Sequence, residues 1–263
     1  MPSPNSRPRT TVEQLARTLR SEMIAVDTRF SYNPLFPVPE EDLRQFLQDP
    51  ITALPPSVAA LLPPVGIVFA PYLDRQTPKG PISVTEEKPT EAKLILSTRV
   101  MAQDHATLFF TVKDEQVADY HYFLYDELAG LLLLALPKEA EDEWNRLLRE
   151  ELSAEAHGEV DDRSWHAKQK LQRKAMAARK DGPLFREYSR DSFRDTMTLY
   201  MHGICCDIDV EAGPRQLPSR YLRKRLDALK SLFPPPEGHA VFPEDLPKID
   251  PRLAPPKGLD PIE

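Results

Sequence analysis

A chain of 263 residues with 41% hydrophobic and 29% charged residues has globular usage, which excludes wholesale disorder and allows a substantial buried core. The formal net charge of −7 sets the molecule against a phosphate backbone, so nucleic acid is not an expected partner. The longest apolar stretch, Leu131 to Leu136, is too short to cross a bilayer, and the first twenty residues hold Arg7, Arg9, Arg17 and Arg20 but no apolar block before a cleavage site. A cytoplasmic address without membrane contact is therefore expected.

In chain order, residues 1–10 are rich in Pro, Ser and Arg and are expected to be a flexible tail. Thr11 is placed to cap a helix with apolar positions at Val12, Leu15, Leu19 and Met23. Recurrent prolines from Asn33 to Pro64 break the next segment into short turns, such as Glu40 to Leu47 and Ser57 to Leu62. Val65 to Ala70 reads as a buried strand, followed by a loop from Asp74 to Pro81. Further strands are expected at Ile82 to Thr85, Lys93 to Val100 and Ala106 to Val112. Strands this close favour an antiparallel or mixed sheet over repeated crossovers.

Everything after Asp114 reads as helical. Val117, Tyr120, Leu124, Leu128 and Leu131 recur at steps of three and four, and the leucine run makes this helix apolar nearly all round, as a central buried helix should be. Helices follow at Lys138 to Ala156, Arg163 to Arg179, Ser189 to about His202, and Ser219 to Phe233. From Pro234 onward nine prolines in thirty residues predict an extended tail, along which Val241, Phe242 and Leu246 are placed to dock. The expected organisation is a flexible tail (1–10), one α+β domain (11–233) and a proline-rich tail (234–263). Within the domain, a small mixed or antiparallel sheet precedes a mainly helical C-terminal half.

Few residues offer chemistry. Glu127, inside the most apolar helix, falls on the side of Tyr120, Leu124 and Leu131, where a buried carboxylate needs a partner; an arginine or a backbone group in a structural role would supply it. His202 and Cys206 have the four-residue spacing of a helical metal pair, and Asp195 would share their face if the helix continued, although Gly203 argues for an end. The adjacent Cys205 and Cys206 are expected to be reduced. The stretch Glu155 to His166 holds His157 and His166 among carboxylates, but reads first as a turn, with Gly158 ending one helix and Asp162 capping the next. The basic run from Trp165 to Lys180, which includes His166, Lys168, Lys170, Arg173, Lys174, Arg179 and Lys180, reads as a solvated helix with one buried stripe.

The order of a Leu54-Pro55-Pro56-Ser57 turn, a core strand, more strands and a helix reading Asp126-Glu127-Leu128-Ala129-Gly130 is followed some sixty-five residues on by Ser192-Phe193-Arg194-Asp195-Thr196. This resembles the zincin metallopeptidases of the Glu-ligand branch, in which a His-Glu-x-x-His helix follows the sheet and a later helix supplies a third ligand. The resemblance puts Asp126 at the first histidine, Glu127 at the general base, Gly130 at the second histidine and Asp195 at the glutamate ligand. A carboxylate and a residue without a side chain replace the two histidines, so ordinary zinc binding is not expected there.

The implied protein is a non-catalytic, zincin-like scaffold that binds a peptide or protein partner and holds no cofactor. Two other readings stay open. One is a metal-dependent hydrolase that gathers zinc ligands from His121, His157, His166 or His202 around Glu127; the other is a helical adaptor unrelated to peptidases. A carboxylate without a metal or a paired acid has no route to activating water at a peptide bond, which favours the non-catalytic readings.

Overall fold

A computed structural model of the chain describes residues 10–173, 182–206 and 217–246. The N-terminal tail up to Arg9, the far end of the basic run with Lys174, Arg179 and Lys180, and the tail beyond Leu246 lie outside the described residues.

Thr11 caps α1 (Val12–Thr18) through a capping box with Gln14, and β1 (Ile24–Ala25) and β2 (Phe30–Pro34) follow. The proline-broken segment forms α2 (Glu40–Leu43), which runs through a wide turn at Arg44–Gln48 into α3 (Asp49–Thr52), then α4 (Pro56–Leu61). Next come β3 (Val65–Ala70), β4 (Tyr72–Arg75), β5 (Ile82–Thr85), β6 (Leu94–Ile95), β7 (Ser97–Met101) and β8 (Ala106–Thr111). The helical half comprises α5 (Val117–Leu132), α6 (Lys138–Ser153), α7 (Asp162–Gln172), α8 (Pro183–Cys206) and α9 (Ser219–Leu232). No described helix is long and apolar enough to cross a membrane. The architecture is α+β.

The larger sheet is mixed and ordered β1-β2-β3-β8-β7, with β2, β3 and β8 parallel and the outer strands antiparallel. Every residue of β3 and β8 is buried, which is why β3 reads as a continuous apolar run rather than an alternating one and β8 carries only Thr107 and Thr111 among apolar residues. The run Lys93 to Val100, expected as one strand, divides at Leu96 between two sheets: β6 joins β4 and β5, while β7 pairs with β8. Thr111 makes this seam. Its hydroxyl donates to the Ile95 carbonyl at 2.7 Å and accepts from the Leu73 amide at 2.9 Å, while its own amide donates to Leu96 at 2.9 Å.

Three strands, β1, β2 and β4, lie where none was expected. β2 ends in Pro34, and β4 begins the region read as a loop because it carries Asp74 and Arg75, residue types that strands disfavour. In the turn before α7, Asp161 rather than Asp162 is the cap, through a box with Ser164.

α5 is the central helix, buried without a break from Leu124 to Leu132. Tyr120 anchors it on the sheet, edge-on to Phe46, Phe69 and Phe110 at ring separations of 5.0, 5.8 and 5.1 Å. α8 packs along it and runs on through the buried Gly203, four residues past the expected end. Val241 and Phe242 dock into the same core, with Phe242 under the Arg223 guanidinium at 3.4 Å, whereas Leu246 stays exposed.

The helical half closes around a buried charge network. Arg225 of α9 is fully buried and donates to Glu151 of α6 at 2.6 Å, to Glu159 at 2.8 Å and to Ser192 of α8 at 2.8 Å. Lys168 of α7, expected on a solvated face, is buried here too, 3.1 Å from Glu159 and donating to the Gly158 carbonyl at 2.8 Å. Burial alone would raise the Glu159 carboxyl, but Arg225, Lys168 and the Tyr188 hydroxyl outweigh it and hold it down to about 2. Truncating one member of such a set strands the others, so Arg225→Met is expected to cost about 3–5 kcal/mol. Urea unfolding checks this; a loss under about 1 kcal/mol would show that the network is dispensable.

Candidate functional site

The antiparallel pair α5 and α8 brings together all four positions of the degenerate motif. Asp126, Glu127 and Gly130 lie in the buried middle of α5, and Asp195 lies across from them on α8. Three arginines occupy the space between and around them. Arg194 clasps Asp126 with a two-pronged contact, Nε to Oδ1 at 2.9 Å and Nη2 to Oδ2 at 2.6 Å, and its Nε also reaches the Asp126 carbonyl at 3.1 Å. Arg163, from the first turn of α7, bridges Asp126 at 2.8 Å and Asp195 at 3.0 Å through one nitrogen. Glu127 accepts from Ser97 Oγ at 3.1 Å and faces Arg99 of β7 at 3.6 Å and Arg194 at 4.0 Å. The arginine partner expected for Glu127 on desolvation grounds is thus present.

Asp195 has a second task. Its Oδ2 accepts the Ser164 backbone amide at 2.8 Å, so it satisfies one of the free amides in the first turn of α7, where a negative charge also meets the positive end of the helix. Burial nevertheless dominates and pushes its carboxyl up to about 6, against the opposing pull of Arg163 and Ser164.

Gly130 explains how two guanidinium groups fit beside a helix. A β-carbon placed there would lie 2.4 Å from Arg99 Nη1 and 3.1 Å from Arg194 Cζ. The volume that a side chain at 130 would need is filled by cationic groups. With three carboxylates against three guanidinium groups the centre is electrically balanced, and each carboxylate is already engaged by donors.

The histidines go elsewhere. His157 and His166 are exposed, and Glu127 instead meets Ser97, Arg99 and Arg194. His202 is buried between Tyr122 and Tyr125, at ring separations of 6.2 and 6.1 Å. Near the N-terminal end of α5, His121 meets the C-terminal end of α8: its Nδ1 lies 3.0 Å from Cys206 Sγ and 3.9 Å from Cys205 Sγ. Among the described residues this is the one group of three potential metal ligands drawn close together. Asp195 is not part of it, so the face anticipated for Asp195, His202 and Cys206 divides into two centres.

The sequence reading did not connect Arg99 and Arg163 to the motif, and nothing local marks them, since they lie on β7 and α7. Arg194 stands next to Asp195 in the second motif, but the motif assigns it no role. Comparison with protein-family models, curated proteins and solved structures finds no match for this chain.

Replacing a mid-helix glycine by alanine ordinarily gains about 1 kcal/mol. Gly130→Ala is expected to reverse that sign and lose about 1 kcal/mol, because Arg194 is pinned by Asp126 and cannot give way; a higher denaturation midpoint would contradict this. Asp195 predicts a pH dependence. An acid raised in the fold favours the folded chain fully below its unfolded value of 3.8, and that contribution is lost as pH rises through about 6. Between pH 4 and 6.5 the wild type should lose on the order of 2 kcal/mol from this group, and Asp195→Asn should flatten that slope. Unfolding curves with equal slopes in both proteins would refute the assignment.

Proposed function

We propose that the α5–α8 centre is a non-catalytic, zincin-like site in a protein that works by binding a peptide or protein partner. The observation that supports this is the filling of the motif positions by cations that belong to the chain itself. Arg163 sits between Asp126 and Asp195, and Arg99 and Arg194 occupy the space beside Gly130. A guanidinium group balances carboxylates as a metal ion does, but it offers no open coordination position and does not turn bound water into hydroxide. The Glu127 carboxylate is engaged by the Ser97 hydroxyl and by Arg99 and Arg194.

Binding needs a surface, and the end of the larger sheet supplies a suitable one. β1 ends the described strand order, and beside it runs a groove of about 560 Å³ whose lining mixes apolar residues such as Ile24, Tyr32 and Ile51 with the polar Asp27, Glu40 and Gln48. A sheet edge next to apolar pockets accepts an extended peptide by strand addition, with backbone hydrogen bonds giving affinity and pockets giving choice.

The test has two arms. The full chain, with and without added Zn²⁺, is expected to leave a mixture of peptides uncut. Cleavage that disappears in Glu127→Gln would overturn the non-catalytic reading. Peptides selected for binding to the wild type should lose at least about tenfold in affinity to Ile24→Asp, which places a charge in the groove. Undiminished binding would remove the groove from the proposal.

A further inference from the structure

The other end of the α5–α8 pair carries three soft or borderline donors that the centre above does not use. Cys205 and Cys206 are free thiols, both half-buried, at the last two positions of α8, and His121 is a buried residue of α5. Their donor atoms all lie within 4.8 Å of one another. Adjacent Cα atoms are about 3.8 Å apart, below the span of roughly 4.4–6.8 Å that an ordinary disulfide bridges. The two sulfurs are therefore poorly placed to oxidise onto each other and remain available as free thiols that a metal ion can deprotonate on binding.

The imidazole is oriented for ligation. His121 Nε2 lies 2.8 Å from the Gln45 carbonyl, which can only accept, so the ring proton is held at Nε2 and the Nδ1 lone pair faces the sulfurs. A backbone carbonyl behind the distal nitrogen is the arrangement that steadies metal-bound histidines. Bonds of about 2.3 Å to sulfur and about 2.0 Å to nitrogen place tetrahedral ligand atoms roughly 3.5–3.8 Å apart. The sulfur-to-nitrogen separations of 3.0 and 3.9 Å bracket that range, so accommodating an ion requires a shift of about half an ångström at Cys206. A second observation points the same way. His202, one turn before Cys206, is buried and its Nε2 has no hydrogen-bond partner among the described residues.

From these contacts we infer that His121, Cys205 and Cys206 form a binding site for a thiolate-preferring d¹⁰ cation, Zn²⁺ foremost, with the fourth position open to water or to His202. Two thiolates and one imidazole with an open position form a donor set that Zn²⁺ takes readily and that Mg²⁺ and Ca²⁺ do not. The site is separate from the arginine-filled centre, shares no ligand with it, and stands whether or not that centre proves catalytic.

The experiment uses the full chain without tag histidines, stripped with a chelator and titrated with Co²⁺ as a spectroscopic stand-in, then with Zn²⁺. One Co²⁺ per chain should bind with thiolate-to-metal charge-transfer absorption, and Zn²⁺ should displace it. Cys205→Ala, Cys206→Ala and His121→Ala should each weaken binding by more than about 100-fold, beyond the usual loss from an outer partner. Glu127→Gln should leave it unchanged, which separates this site from the arginine-filled centre. Absent charge-transfer absorption, or absorption that survives loss of both cysteines, overturns the site. Should the variants misfold, alkylation of the wild type decides: Zn²⁺ is expected to shield both thiols, and equal labelling with and without Zn²⁺ rejects the assignment.

Discussion

The buried Arg225 guanidinium ties together helices that also meet through one hydrophobic core. It reaches Glu151 on α6, Ser192 on α8 and Glu159 in the turn before α7, while Lys168 closes the set from α7 itself. Taking four charges out of water costs several kcal/mol per ion, so such a set persists only where the geometry satisfies nearly every donor and acceptor. That demand fixes how α7 and α8 stand relative to each other. Arg163 on α7 and Arg194 on α8 converge on Asp126 beside the turn from Gly158 to Asp161, which this network and the Asp195–Ser164 bond both hold in place.

The same reasoning shows why the α5–α8 centre tolerates three carboxylates in a buried helix pair. Each lacks water but meets a guanidinium group, and Asp195 also meets a helix N-terminus. Gly130 is permissive here through volume rather than backbone conformation: the missing β-carbon lets two arginine heads lie against the helix. Centre and scaffold are thus built from one device, paired charges placed where hydrophobic packing leaves gaps.

Much of this was legible in the sequence, for identifiable reasons. The 3.6-residue period and the leucine run marked α5, the short apolar run from Val65 to Ala70 marked β3, and Thr11 announced α1. The need of Glu127 for a partner, an arginine or a backbone group, followed from desolvation cost alone. Other features depended on contacts that no local pattern carries. β4 contains Asp74 and Arg75, and its strand state comes from pairing with β5 and β6. The division of the 93–100 run depends on Thr111, more than ten residues away. Gly203 suggested a helix end, but burial against α5 keeps the helix intact. His121 and the cysteines are some 84 residues apart, so only the fold makes them neighbours.

α5 and α8 are joined at two separate points: Asp126 with Arg194 near their middles, and His121 with the cysteine pair at one end. Ten residues of α8, about 15 Å of helix, separate Asp195 from Cys205. A straight helix fastened at two points cannot slide or rotate at one without loading the other. The pair therefore behaves as a rigid lever rather than as two independent patches, and a fraction of an ångström of axial slip at the thiol end would be felt as a change of fit between the arginines and their carboxylates.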